Sequence, residues 1–380
     1  MNILIFSTIY PAPDKYSIPN DTKVVHYYAK QWKNAGHAVQ VVYLHMIPVK
    51  KILDFKNAKK INGFVDNYKW DGICVHLIEY QLLIPRTNTL AAWQAKNAKW
   101  RIEHFLNKVF VPDKVFVHFP CTFRGVTCLT DFQCPTMAVL HNIDLYLLQK
   151  KSNLTTELNR YRNIGGRNNH ICDTVSAYLS RKCVPVFSGI DEALVPKLEW
   201  IEKKLEHHTN RIKIVYAGNL IPLKNVDVII KALQCVSFEY QCEIIGDGPE
   251  KKRLEAMAHG CSDIVFKGKM SRKATIEKMR EADVFVMVSS PETFGLVYIE
   301  AMAQGCITVG SKNEGIDGIL RNGENGFLVE PGDIDKLKDC LNDIFLMSQE
   351  RKNAIVFSAY CKATEMTDQN MAKLYLQLNQ

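Results

Sequence analysis

The chain has 380 residues, 47% of them apolar and 23% charged, with a net charge of +8. This is the composition of a soluble globular protein, and the length suits two domains better than one core. No window holds the roughly eighteen uninterrupted apolar residues of a membrane span, and the twelve cysteines are scattered without a C-x-x-C pair or zinc-site spacing. The first residues, Met1 to Ser7, lack a basic n-region and a long apolar core, and read as a buried strand rather than a signal peptide. The charge is lopsided: residues 1–190 hold 24 Lys and Arg against 12 Asp and Glu, a net +12, whereas residues 191–380 hold 24 against 28, a net −4. Clusters at Lys50-Lys51, Lys56, Lys59-Lys60, Lys96, Lys99, Arg101, Lys150-Lys151, Arg160, Arg162 and Arg167 point to an anionic lipid surface, an acidic substrate, nucleic acid, or a basic solvated face. Nucleic acid would need aromatic platforms or a recognition helix, and neither is assembled.

Both halves alternate apolar strands with amphipathic helices, the pattern of parallel sheets covered on both faces. In the first half a strand at Asn2–Phe6 leads into a loop with Pro11, Pro13 and Pro19. A helix from about Thr22 to Ala35 follows, with Asp21 or Thr22 as its cap and Gly36 as its stop. Further strands are expected at Val39–Leu44, Ile73–Ile78, Lys114–His118, Thr136–Leu140, His170–Val175 and Pro185–Phe187, with a turn at His141–Asp144. The charged stretch Asp191–Asn210 is the expected junction. In the second half strands are expected at Ile212–Ala217, Tyr240–Ile245, Ile264–Lys267, Asp283–Val288 and Ile307–Gly310. Helices are expected at Val226–Val236, Glu250–His259, Arg272–Glu281, Gly295–Gln304 and Ile334–Met347, and a last one at about Asp368–Leu378.

The most informative segment is Ser289 to Gly305, SSPETFGLVYIEAMAQG. Glu292 falls in a strand-to-helix loop, and Glu300 lies about a turn and a half into the helix. The helix start offers free N–H groups and a positive dipole end, a ready anion site. Two carboxylates flanking it suit a ligand with hydroxyls at both ends of a diphosphate, such as a nucleotide sugar. Read alone, the same residues are equally a helix-surface charge and a first-turn carboxylate favoured by the dipole. Asp333-Ile334-Asp335 resembles a D-x-D metal pair, but it follows Pro331-Gly332 and opens a helix, which is the context of an N-cap. No metal and no cofactor are expected.

Four blocks, in order, carry a resemblance: VYAGNLIPLKNVDVIIKAL (Val215 to Leu233), EIIGDGPEKKRLEAMA (Glu243 to Ala258), VFKGKMSRKATIEKMREADVFVMVSS (Val265 to Ser290) and the stretch from Pro291 to Asp333. They resemble the donor-binding domain of the family 4 glycosyltransferases, also called glycosyl transferases group 1. The resemblance implies the GT-B fold, two Rossmann-like parallel-sheet α/β domains facing across a cleft. Residues 1–190 would be the acceptor-binding domain, with a C-terminal helix at about 360–380 crossing back to it, and residues 191–358 the donor-binding domain. It also implies a retaining glycosyltransferase that moves a sugar from a nucleotide sugar, UDP-linked rather than GDP-linked, to a glycan or lipid-linked acceptor in cell-surface polysaccharide synthesis. Such an enzyme would be cytoplasmic and peripheral at the inner membrane face, its basic first half on the anionic surface. Lys50 to Ile61, where apolar and basic residues interleave, is the candidate membrane segment.

By this resemblance Glu300 would bind the ribose and Glu292 the sugar hydroxyls. The amides of Phe294, Gly295 and Leu296, beside Thr293, would hold the diphosphate. Lys224 would stabilise the leaving phosphate, and His141 would reach the donor sugar. Lys267 to Met270, with Lys269 and Met270, would line the base pocket. Gly218, Asn219 and Asp247 would flank the donor. Two departures from the family pattern stand out: Asn219 replaces the usual Arg, and the Lys15–Thr22 loop lacks glycine, so Asn20 and Thr22 side chains would approach the diphosphate instead. A catalytically inactive nucleotide-sugar-binding scaffold, a sugar phosphorylase or a nucleotide-sugar epimerase of similar fold are the alternatives.

Overall fold

The structure is a computed structural model that describes residues 1–13, 23–48, 64–82, 100, 102–103, 110–122, 132–150, 154–206 and 211–380. Two compact units emerge: Met1–Arg167 with Ile171–Phe187 and Met371–Gln380, and Asn168–His170 with Ser188–Asn370. Asn20, Thr22 and the Lys50–Ile61 segment lie outside the described residues.

The first unit is built on eight described strands: β1 (Asn2–Ser7), β2 (Ala38–Pro48), β3 (Phe64–Trp70), β4 (Ile73–Leu82), β5 (Lys114–His118), β6 (Thr136–Leu140), β7 (Asn163–Gly166) and β8 (Val184–Pro185). They run in the order β3-β4-β2-β1-β5-β6-β7-β8. All pairs are parallel except β3 with β4. The central strands are apolar through their middles, as expected where helices cover both faces: Ile3, Leu4, Ile5 and Phe6 of β1 and Val115, Phe116 and Val117 of β5 are buried. The Val24–Asn34 helix packs Trp32 on Phe116 and donates its indole N–H to the Ala372 carbonyl at 2.8 Å. Tyr375, near the C-terminus, completes this aromatic core against Phe116, Trp32 and Tyr28.

Three local expectations for this half need correction. The stretch His170–Val175 is not a strand but part of the Asn169–Leu179 helix, whose buried Ile171, Cys172, Val175 and Leu179 follow helical spacing. The His141–Asp144 turn is the start of the Asn142–Lys150 helix. The Val24–Asn34 helix begins after Lys23, with no side-chain cap bond; Asp21 and Thr22 lie outside the described residues. The charged stretch after Asp191 contains a helix, Leu198–Glu206, whose Lys204 donates to the Ala282 and Gln304 carbonyls at 2.7 and 2.9 Å. That helix belongs to the second unit.

The second unit's sheet holds β9 (Ile212–Ala217), β10 (Tyr240–Ile245), β11 (Ile264–Gly268), β12 (Val284–Val286), β13 (Ile307–Ser311) and β14 (Phe327–Val329). All its pairings are parallel, in the order β11-β10-β9-β12-β13-β14. The chain winds outward from β9 in one direction and from β12 in the other, so the strand order reverses between these two neighbours. In an open α/β sheet the crevice beyond the strand C-termini at that reversal is the ligand-binding position. The Leu296–Ala303 helix follows β12 and is buried on nearly every side, with Tyr298, Ile299, Ala301, Met302 and Ala303 all fully buried. Burial of each large side chain contributes about 1.5–3 kcal/mol, which holds this helix firmly against the sheet. Asp333 caps the Ile334–Leu346 helix by accepting from Lys336 N at 2.9 Å.

Candidate donor site

Two loops meet at the strand-order reversal. The first follows β9 and ends in the turn Pro222–Lys224, closed by Asn225 in the left-handed region at φ 48°. Asparagine tolerates that conformation, and here its amide donates to the Val288 carbonyl at 2.8 Å. The second loop, after β12, returns a bond from Ser290 N to the Leu223 carbonyl at 2.9 Å. The two loops therefore form one piece, and Lys224 and Glu292, 68 positions apart in sequence, stand face to face with Nζ to Oε2 at 2.5 Å. Their side chains keep only 21% and 13% of their surface.

Glu292 is held from several sides. Ser289 Oγ donates to its Oε2 at 3.1 Å, and Thr293 N to its Oε1 at 3.1 Å. Its peptide N–H donates to Glu314 Oε2 at 2.6 Å, its carbonyl accepts from Gly315 N at 3.0 Å, and Glu314 Oε1 also accepts from Ser290 Oγ at 2.6 Å. Burial, reinforced by the Glu292 charge, raises the phenol pKa of both Tyr216 and Tyr298. Both phenols therefore stay neutral hydrogen-bonding groups, donating to the carbonyls of Asn219 and Met287.

The chain then enters the Leu296–Ala303 helix through Gly295, which sits at φ 74° where an added Cβ would lie 2.6 Å from the Tyr298 ring. Only glycine fits there. Among the described residues the amides of Gly295 and Leu296 make no backbone hydrogen bond. They are the donors a helix start leaves for an anion. Glu300, the one carboxylate of this buried helix, is 9% exposed. A buried carboxylate needs a partner, and Arg272 supplies it, with Nε and a terminal nitrogen 2.9 and 2.5 Å from Oε1. Oε2 keeps no protein partner among the described residues.

The remaining positions divide. Gly218 and Asp247 lie where the turns after β9 and β10 pack backbone to backbone: Leu220 N donates to the Asp247 carbonyl at 2.9 Å, and a Cβ on Gly246 would come within 1.9 Å of the Gly218 carbonyl oxygen. Asn219 and Lys269 are exposed and Met270 is half-buried at the β11 end of the same row. Phe294 is buried. Lys267 is turned onto Glu243 at 3.1 Å.

His141 belongs to the first unit and is buried. Its ring stacks on Phe119, with centroids 3.7 Å apart, and its Nε2 lies 3.2 Å from His118 Nδ1. Tyr375 contacts the other His118 nitrogen at 3.2 Å. Burial lowers the pKa of both histidines, to about 3 for His118, with Arg167 adding to the effect and His118 itself adding to that on His141. Asp144 accepts from His141 N and Cys121 N, both at 2.8 Å, and burial pushes its carboxyl up to about 7 against those two amides.

Two contributors were not singled out from the sequence. Arg272 and Glu314 lie 28 and 22 positions from the glutamates they serve, Arg272 at the start of the Arg272–Glu281 helix and Glu314 in the loop after β13. Among the described residues no three His, Cys, Asp or Glu side chains cluster as a metal site.

The fold and this site define a Rossmann-like GT-B protein with open amides at a helix start beside a topological switch point. Residues 199–358 match the family described as Glycosyl transferases group 1. A sulfoquinovosyl transferase of Arabidopsis thaliana is 31% identical over 159 residues, which is 41% of this chain and 30% of that protein. The N-acetyl-alpha-D-glucosaminyl L-malate synthase of Bacillus anthracis is 29% identical over 161 residues, 40% of this chain and 42% of the other. The matched segments thus span less than half the length of these relatives. Among solved structures, a glycosyltransferase from Rickettsia africae superposes with a TM-score of 0.68 at 16% identity, covering 100% of this chain and 97% of that one. Anabaena HepE, solved with UDP and glucose, gives 0.65 at 16% identity over 99% and 98%. At these identities the structural likeness concerns the fold.

Proposed function

We propose that the protein is a retaining glycosyltransferase that transfers a sugar from a UDP-sugar to a glycan or lipid-linked acceptor. The single observation that carries the reading is the Lys224–Glu292 pair at the strand-order reversal, beside the open amides of Gly295 and Leu296. The family match of residues 199–358 supports transferase chemistry. UDP as the carrier is supported by two proteins of the same fold, HepE with UDP and glucose and an Escherichia coli trehalose-6-phosphate protein bound with UDP-2-fluoro glucose. A lipid-linked or cell-surface acceptor accords with relatives named for lipopolysaccharide core biosynthesis and phosphatidyl-myo-inositol mannosylation. The net +12 of residues 1–190 favours an anionic membrane surface as the place of work. No helix among the described residues is long and apolar enough to cross a membrane.

On this reading the helix start and Lys224 hold the diphosphate. An ammonium has three donors, and one contact to Glu292 leaves two for phosphate oxygens. Glu300 accepts from the ribose hydroxyls through Oε2, with Arg272 fixing its other oxygen. Glu292 holds hydroxyls of the donor sugar. The bond from the anomeric carbon to the β-phosphate oxygen breaks while the acceptor oxygen bonds to the same carbon. The acceptor's proton passes to the departing phosphate. Attack and departure share one face, so configuration is kept. Positive charge growing on the sugar is opposed by the phosphates and Glu292, and negative charge on the leaving phosphate by Lys224 and the amides, an electrostatic stabilisation needing no further group.

The test is donor turnover by the wild type and Glu292→Gln with a panel of UDP-sugars. The reading predicts release of UDP by the wild type and a loss of about 10²-fold or more in the variant. Near-normal turnover by Glu292→Gln would count against the role given to Glu292.

A further inference from the structure

We propose that Glu314 is a positioning residue for the donor sugar, a role that rests on the glycosyltransferase reading above. Glu314 follows β13, a strand that belongs to neither of the two loops carrying Lys224 and Glu292. Its carboxylate reaches across and takes two donors from the β12 loop: Ser290 Oγ at 2.6 Å on one oxygen and Glu292 N at 2.6 Å on the other. The next residue, Gly315, donates its own N–H to the Glu292 carbonyl at 3.0 Å. The peptide groups on both sides of Glu292 Cα are therefore gripped by one two-residue element. The side chain is gripped separately, by Lys224, Ser289 and Thr293.

This division matters because the side-chain grip must change when a donor binds. A phosphate drawing on Lys224, or sugar hydroxyls drawing on Glu292, competes with the 2.5 Å ion pair. The Glu314–Gly315 grip involves only the backbone of Glu292 and the Ser290 hydroxyl, so it survives that exchange. It would keep the Cα of Glu292 fixed while the carboxylate turns from lysine to sugar. Hydrogen bonds to a charged acceptor are the strong kind, and none of the cations among the described residues forms an ion pair with Glu314 to compete for its oxygens. The nucleotide end of the site is held by other residues, Arg272 on Glu300. Loss of Glu314 should therefore damage sugar recognition and turnover while sparing the nucleotide.

The geometry also predicts what replaces Glu314. A glutamine keeps a carbonyl oxygen for Glu292 N, and its amide donates to the Ser290 hydroxyl, which reverses its role. Alanine keeps neither bond. Calorimetric titration of wild type, Glu314→Ala and Glu314→Gln with UDP and with the UDP-sugar that the wild type consumes, alongside turnover, tests the proposal. In Glu314→Ala the UDP Kd should stay within about threefold. The extra affinity conferred by the sugar should vanish, and kcat should fall by about 10²-fold, the scale of a displacement near 1 Å. Glu314→Gln should recover to within about fivefold of the wild type, as expected when both hydrogen bonds persist without the charge. Glu314→Ala with unchanged sugar preference and kcat overturns the proposal, as does a Glu314→Gln variant no better than alanine. Equal losses of UDP and sugar binding mean a merely structural role and overturn it too. If Glu314→Ala does not fold, Ser290→Ala, which removes one of the two bonds, should show the same split at smaller amplitude. A wild type that binds no nucleotide overturns the glycosyltransferase reading itself, an outcome distinct from all of these.

Discussion

Replacing Gly315 by alanine tests how closely the Glu292 loop is packed. An added Cβ would sit 2.4 Å from Phe294 N, 2.5 Å from Phe294 Cα and 2.6 Å from Thr293 C. All three atoms are backbone, so no flexible side chain can yield. Ordinary contact begins at 3.4 Å, so the Thr293–Phe294 peptide, or the Gly315 loop, must retreat by about 1 Å. Gly315 is not among the residues at positive φ, and alanine is therefore tolerated by its own backbone; the effect is steric alone. Overpacking of this kind costs about 1–3 kcal/mol. At about 3 °C per kcal/mol for a unit of this size, that lowers its melting temperature by about 3–9 °C. Phe294 leads directly into the helix start, so the same shift moves the Gly295 and Leu296 amides away from the position proposed for the diphosphate. A displacement near 1 Å costs on the order of 10²-fold in turnover. The assay is UDP release from the preferred donor, with calorimetric melting of the same preparations. Gly315→Ala with turnover and melting temperature both matching the wild type would refute the packing argument and the link from the Glu314–Gly315 element to the donor site.

Glu300→Ala removes the carboxylate assigned to the ribose and strands the Arg272 guanidinium. Hydrogen bonds to a charged group are worth about 1.5–3 kcal/mol, so UDP affinity measured by calorimetry should weaken by about 10- to 100-fold. Acid should destabilise the first unit through His118. Its folded pKa of about 3 lies below its unfolded value, so the unfolded chain takes up a proton that the folded chain refuses as pH falls from about 6.5 towards 3. At pH 5 this one group costs roughly 2 kcal/mol. Asp144, raised to about 7, gains stability in acid and works in the opposite direction. His118→Gln keeps the Asp144 contribution, so its melting temperature at pH 5 relative to pH 7 should be higher than that of the wild type; an unchanged difference between the two pH values would refute the assignment.

The second unit was largely legible in the sequence because its strands are rich in apolar residues: Val284 to Val288 is an apolar run buried throughout, and Ile212–Ala217 and Tyr240–Ile245 are broken only by Lys213, Gln241 and Glu243. The helix carrying Glu300 was legible for a related reason, since Gly295 and Gly305 bracket an apolar stretch. What escaped was tertiary. The strand order brings Arg272, at a helix start, and Glu314, in a loop, beside Glu300 and Glu292, and strand order is not written in local periodicity. In the first unit, Ile171, Cys172 and Val175 fit a short apolar run as readily as a helix face. The strand Asn163–Gly166 hid behind two glycines, and Phe64–Trp70 joins the sheet edge antiparallel, outside the parallel pattern. The His118–His141 contact depends on neighbouring strands placing two rings together at their ends. Nothing in the spacing of 23 residues announces it.

The central claim is that a nucleoside diphosphate sits at the reversal between β9 and β12 with Lys224 on its phosphates. Calorimetric titration of wild type and Lys224→Met with UDP and with uridine tests it most directly. The account predicts that the variant loses about 10- to 100-fold in UDP affinity, the value of a charged contact, while uridine binding stays within about twofold. Equal UDP affinity in the two proteins would contradict it.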